Sequence, residues 1–261
     1  MLIVLLLSVV QGISEFLPIS SSAHLLVVPW LFNLQDLGLT FDAAIHIGTA
    51  IALLLFFYKD FWRLVKEKNP LLWYIVVASV PAALFGFLGD KWIESVLHES
   101  SIAPLVVGLG MILFSFLLLY IDNTAKLEHT SKDITLKDTL IIGFAQALAL
   151  IPGTSRSGIT MTAGLWRGLK REDAARFSFL LAAPISLGAG LYKTLGLVKN
   201  PNPDLSILQL VVGIVASCLV GLAVIRWLIR YVGSHNLRLF VVYRVAFGVI
   251  VIAIWLWRAV L

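Results

Sequence analysis

Six apolar runs recur along the chain, at about 41–58, 71–89, 103–121, 177–194, 206–225 and 240–257. Each reaches or approaches the ~20 residues needed to cross the hydrocarbon core of a bilayer. That number of runs excludes a soluble domain with a single anchor and makes the chain an integral membrane protein. Composition agrees: 59% of the 261 residues are hydrophobic and 13% charged, far from the balance of a soluble domain. The net charge of +5 does not point to nucleic acid, because the basic residues sit in short loops between the runs, where they orient a membrane protein. Cys218 is the only cysteine, so an internal disulfide and a thiolate metal cluster are both excluded. The opening MLIVLLLSVV lacks a basic leader and a small-residue cleavage site, and is expected to belong to the mature fold.

Two further apolar stretches are too short or too polar to be clean spans. MLIVLLLSVVQGISEFLP carries Gln11, Ser14 and Glu15 and stops at Pro18. TLIIGFAQALALIPGTSRSG is apolar only over 139–151, before Pro152 and Gly153. A Ser-rich turn follows each, then a second short apolar piece, AHLLVVPWLF or ITMTAGLW. Helix, break and helix describe a re-entrant hairpin, and broken backbone at membrane depth needs a polar cavity or protein around it.

These features repeat in order. Pro18-Ile19-Ser20-Ser21 aligns with Pro152-Gly153-Thr154-Ser155 at an offset of 134, and Phe41 with Phe177 at 136. Val77-Ala78-Ser79 aligns with Val215-Ala216-Ser217, and Gly110 with Gly248, both at 138. The expected fold is therefore an all-α polytopic membrane protein forming one membrane domain over 1–261. It divides into a first repeat over 1–125 and a second over 139–261, each one re-entrant helical hairpin plus three transmembrane helices. Three crossings per repeat invert the second against the first. On this topology the loops 59–70, 122–138, 166–176 and 226–238 share one side and hold fourteen of the twenty Lys and Arg, against four on the other. The basic side is expected to be cytoplasmic.

Gln11 and Glu15 are four apart and share a helix face. Ser20, Ser21 and Ser22 stand where the next helix begins, the place where serines cap free N–H groups. Thr154, Ser155 and Ser157 repeat this at the second break, with Arg156 added. Two helix N-termini and an arginine fork make an anion site. An arginine at membrane depth costs ~2.5–3.5 kcal/mol on insertion scales, so Arg156 requires Glu15 or a bound phosphate as partner. His24 lies one turn past Ser20 and Ser21 and is expected to face the same cavity. Asp42 and His46, also four apart, either support the site from behind or only pack. Arg244 is expected to snorkel to the cytoplasmic surface. Small polar residues also serve helix packing, and Glu15 with Arg156 has the alternative of a purely structural pair. Carboxylate, histidine, hydroxyls and arginine around an anion pocket nevertheless suit phosphoryl transfer.

At this point the residues resemble a known family. QGISEFLPISSSAH is similar to the first signature of undecaprenyl-diphosphate phosphatases of the bacitracin-resistance type: Glu or Gln, three residues, Glu, then F-L-P-x-S-S-x-x-H. PGTSRSG resembles their second motif, and FDAAIHIGT, SVPAALFG and the late YR extend the likeness over nearly the whole chain. The resemblance implies removal of the terminal phosphate of undecaprenyl diphosphate, which recycles the lipid carrier of peptidoglycan and other envelope polymers and confers bacitracin resistance. It implies a divalent cation, Mg2+ or Ca2+, with Glu15 as ligand, and a site on the outer face of the bacterial inner membrane. Glu15, Ser21, His24 and Arg156 then fall at catalytic positions. Gln11, Ser20, Ser22, Thr154, Ser155, Ser157 and Arg156 are left to bind substrate. Gln11 stands where relatives also carry Glu, and the nucleophile stays open between Ser21, His24 and water. The expected partners are the lipid substrate and the bilayer, not nucleic acid; a homodimer is compatible with the sequence. The rival reading is a transporter or flippase for a polyprenyl phosphate or small anion, because inverted repeats with broken helices are also transporter architecture.

Overall fold

The computed structural model describes residues 1–34, 37–94, 100–199 and 205–260. Among them the chain is all-helical, with ten α-helices and no strand beyond an isolated bridge between His129 and Leu169. The order is α1 (Leu2–Ser14), α2 (Ser21–Phe32), α3 (Gly38–Lys66), α4 (Pro70–Glu94), α5 (Ala103–Thr124), α6 (Leu136–Ala147), α7 (Arg156–Trp166), α8 (Arg171–Lys199), α9 (Ile207–Ser234) and α10 (Arg238–Val260). Among the described residues, five helices are long and apolar enough to cross a membrane: Thr40–Lys66, Pro70–Gly89, Ala103–Thr124, Ile207–Ser234 and Arg238–Ala259. They cover five of the six expected spans. The sixth, 177–194, lies within α8, whose first turns carry Arg171, Glu172, Asp173 and Arg176.

Both interrupted stretches form helix, break and helix. α1 ends at Ser14, earlier than Pro18, because the chain leaves the helix through a turn over 15–19. α6 tightens into a 3-10 turn over Leu148–Leu150 before its own break. The far end of the α6–α7 unit is tied down by Asp138. Its carboxylate accepts from Thr135 in a capping box and from Arg167 at 2.5 Å. Burial pushes the Asp138 carboxyl up, but the Thr135 and Arg167 hydrogen bonds outweigh it and hold it below the usual carboxylate range.

α3 packs along α8 and α9, α1 along α9, α4 along α6, and α5 along α10. Small residues permit the closest crossings. A Cβ at Gly12 would stand 2.9 Å from the Ser217 carbonyl of α9, and one at Gly143 would stand 2.7 Å from the Ala78 carbonyl of α4. The main buried cluster joins Phe16, in the turn that follows α1, with Phe57 of α3 and Phe179 of α8 around one point next to the breaks. Long apolar side chains such as Leu113, Phe116, Leu219 and Trp257 remain exposed on the outer faces, as expected where lipid is the solvent.

Candidate active site between the two breaks

Each break turns on one serine. Ser20 has φ 73 and ψ 96, Ser155 has φ 71 and ψ 113, and each is the residue before its helix. Positive φ at a side-chain-bearing residue is a strained conformation, costing on the order of 1–3 kcal/mol, and collects at functional sites. Sequence alignment paired Ser21 with Ser155; the backbone pairs Ser20 with Ser155, one residue away. The capping also differs from expectation. Ser155 Oγ accepts from the Gly158 N–H at 3.2 Å, whereas Ser20 makes no side-chain cap. Ser20 Oγ lies instead 3.3 Å from Ser22 Oγ, as Ser155 Oγ does from Ser157 Oγ.

The breaks meet at a cavity of about 240 Å3 lined by Glu15, Ser20, Ser21, Ser22, Ala43, His46, Ala149, Ser155, Arg156, Ile185, Ser186 and Gly190. Glu15 is its hub. Arg156 Nη2 donates to Glu15 Oε1 at 2.5 Å. Ser21 Oγ donates to Oε2 at 2.5 Å and Gln11 Nε2 to the same oxygen at 3.0 Å. Arg156 is further held by Ser186 Oγ at 2.7 Å and the Ala182 carbonyl at 3.2 Å, both on α8. Ser157 Oγ donates to the Leu17 carbonyl at 2.9 Å and so ties the second break to the first.

The two histidines have exchanged the places expected of them. His24 does not line the cavity. Its Nδ1 lies 2.7 Å from the Ser20 carbonyl and its Nε2 2.6 Å from the Tyr243 hydroxyl. A carbonyl only accepts, so Nδ1 carries the proton and Nε2 accepts from Tyr243. Position i+4 turns the ring back onto its own helix start and toward α10, where it stacks on Phe247. His46 does line the cavity. Its Nδ1 donates to the Asp42 carbonyl at 2.7 Å, and its Nε2 lies 3.7 Å from Glu15 Oε2.

Arg244 is the largest departure from the sequence reading. It is 1% exposed and does not snorkel. Nη2 donates to the Gly153 and Thr154 carbonyls at 2.9 Å each, and Nη1 to the Pro18 carbonyl at 3.3 Å. The carbonyls freed by the two breaks draw the guanidinium inward. Ser186 was also missed, since nothing in an apolar run marks it apart from being polar, and Tyr243 entered only as part of the late YR of the family likeness. Thr154 contributes its carbonyl to Arg244, while its hydroxyl oxygen is buried without a partner among the described residues, as is Gln11 Oε1.

Residues 4–250 match the family model described as Bacitracin resistance protein BacA. The chain is 40% identical over 262 residues to a protein of Caldicellulosiruptor bescii named undecaprenyl-diphosphatase, covering 97% of each. It is 41% identical to a Moorella thermoacetica protein of the same name, covering 97% of this chain and 98% of that one. It is 42% identical to another so named from Pelotomaculum thermopropionicum, covering 96% and 95%. Both sequence motifs converge on one cavity inside a helical membrane protein, and the family match spans both of them: the chain belongs to the bacitracin resistance protein BacA family.

Proposed function

We propose that the chain is an undecaprenyl-diphosphate phosphatase, which hydrolyses the lipid diphosphate to undecaprenyl phosphate and inorganic phosphate and so recycles the carrier for envelope polymers. Family membership and the shared name of the relatives support this. The observation that carries it is the Ser21–Glu15–Arg156 chain at the meeting of two helix N-termini: a hydroxyl, its proton acceptor and a phosphate fork in hydrogen-bond sequence.

The terminal phosphate takes Arg156 from Glu15, and the carboxylate is then free to accept the Ser21 proton. Ser21 Oγ attacks the terminal phosphorus, the bond to the bridging oxygen breaks, and undecaprenyl phosphate leaves. Water then attacks the phosphoserine and gives its proton to His46 Nε2, while Glu15 returns its proton to the departing Ser21 Oγ, so that phosphate and the Ser21 hydroxyl are released. Arg156, kept in place by Ser186, stabilises the charge in both steps. Glu15, Ser21 and the unpartnered Gln11 Oε1 are hard oxygen donors and fit Mg2+ or Ca2+, with substrate oxygens and water completing the shell. Such an ion would neutralise charge on the diphosphate.

The helices support inverted repeats. Exchanging α1–α5 for α6–α10 turns α1 on α9 into α6 on α4 and leaves the α3–α8 and α5–α10 pairings unchanged. The basic-loop count supports a pocket open to the outside of the inner membrane. An apolar groove of about 880 Å3 between α4, α5 and the α6–α7 unit borders the site. Leu148 and Leu150 face the groove, and Ala149 between them faces the polar cavity. The groove seats the first part of the prenyl chain. Purified protein in detergent should release inorganic phosphate from a short prenyl diphosphate. Binding without release would favour the transporter.

A further inference from the structure

We propose that Arg244 is a positioning residue that turns the backbone N–H of Ser155 into the pocket, as its neighbour Tyr243 does through His24 for that of Ser21, and supplies the pocket's uncompensated positive charge. This rests on the phosphatase reading of the same site.

The first observation is electrostatic. Arg156 and Glu15 cancel each other at 2.5 Å. Arg244 has no carboxylate within ion-pair distance among the described residues. It is nevertheless buried. Three carbonyl dipoles solvate it instead, from Pro18 in the first break and from Gly153 and Thr154 in the second. The site thus keeps one net positive charge in a low-dielectric setting, where a diphosphate feels it strongly.

The second observation is geometric. Peptide units are trans here, so a carbonyl and the following N–H point in opposite directions. The Thr154 carbonyl points at Arg244, so the Ser155 N–H points away from α10. The neighbouring Tyr243 acts in the same way through His24, whose Nδ1–H holds the Ser20 carbonyl; the Ser21 N–H then also points away from α10. Ser21 and Ser155 line the cavity, and neither N–H has a partner among the described residues. Two unpaired donors, one from each break, are what a transferring phosphoryl group requires. Only a planar fork reaches both breaks at once. Gly158 leaves room for it, since a Cβ there would stand 3.0 Å from Nη1.

The test uses purified full-length Arg244→Lys, Arg244→Met and Tyr243→Phe. It reads kcat and KM on a prenyl diphosphate, pyrophosphate binding by 31P line broadening, and thermal unfolding. Lysine keeps the charge and loses the fork. It should hold KM and pyrophosphate affinity within about threefold and lower kcat about 100-fold, the scale of a lost oxyanion donor. Methionine should weaken pyrophosphate binding about tenfold as well, because the charge is gone. Tyr243→Phe should lower kcat about tenfold with KM unchanged. Wild-type kcat in the lysine variant, or losses in all three that merely follow the folded fraction, would overturn the proposal. A wild-type protein that binds pyrophosphate without turnover would overturn the phosphatase reading, and the methionine variant would still decide whether Arg244 charges the pocket.

Discussion

On the proposed function, Arg156 recognises phosphate by shape as well as charge. Nη2 faces Glu15 while Nη1 is fixed by Ser186 and Ala182. Arg156→Lys keeps the charge but cannot fill both positions, and phosphate release should fall at least about tenfold. A rate near that of the wild type would reduce Arg156 to a general electrostatic or structural residue. Glu15 and Gln11 share a helix face but not a chemistry, since only the carboxylate can accept a proton. Glu15→Gln should abolish turnover, and Gln11→Ala should remain partly active in the same assay; equal losses would make the pair a scaffold. Most of these residues were legible in the sequence, because polar side chains stand out in an apolar run. Their orientation was not. His24 and His46 each bond backbone around their own helix turn, and which ring then faces the cavity depends on where α10 brings Tyr243.

The breaks were legible as elements from Pro18 and Pro152 with their serines, but the turning residue was placed one position away at the first break. A positive φ at serine contradicts local preference, so no propensity argument finds Ser20 and Ser155. The groove beside the second break was invisible in the sequence, since its lining from α4, α5, α6 and α7 reads as ordinary lipid-facing surface. A prenyl chain gains little hydrophobic energy on leaving lipid for this groove, so its contribution is placement. Ala145→Trp should fill it and raise KM several-fold, roughly three to ten, for a long prenyl diphosphate. The same variant should leave the binding of pyrophosphate, which has no prenyl chain, unchanged. Equal effects on both ligands would show that the groove does not seat the chain.

For the whole molecule, five of the six expected spans followed from hydropathy, and the family from two motifs. Arg244 shows what such a reading cannot supply. Near the start of a span it looks like an interfacial residue; it goes inward because breaks lying 90 to 226 residues from it in sequence offer carbonyls to it. The proposed orientation is open to a direct check. In a Cys218→Ser background, Ser22→Cys should be labelled by an impermeant thiol reagent added to intact cells and protected by a diphosphate ligand. A cysteine in the 122–138 loop should stay unlabelled until the cells are opened. Labelling of the loop alone would invert the topology.

The central claim is a displacement at the terminal phosphorus in the pocket between the breaks. Turnover of undecaprenyl diphosphate by the purified protein in 18O-water, followed by mass spectrometry of both products, tests it most directly. The account predicts one 18O in the inorganic phosphate, none in undecaprenyl phosphate, and no turnover with Glu15→Gln. Label in the lipid phosphate, or unchanged diphosphate recovered from wild-type protein, would contradict it.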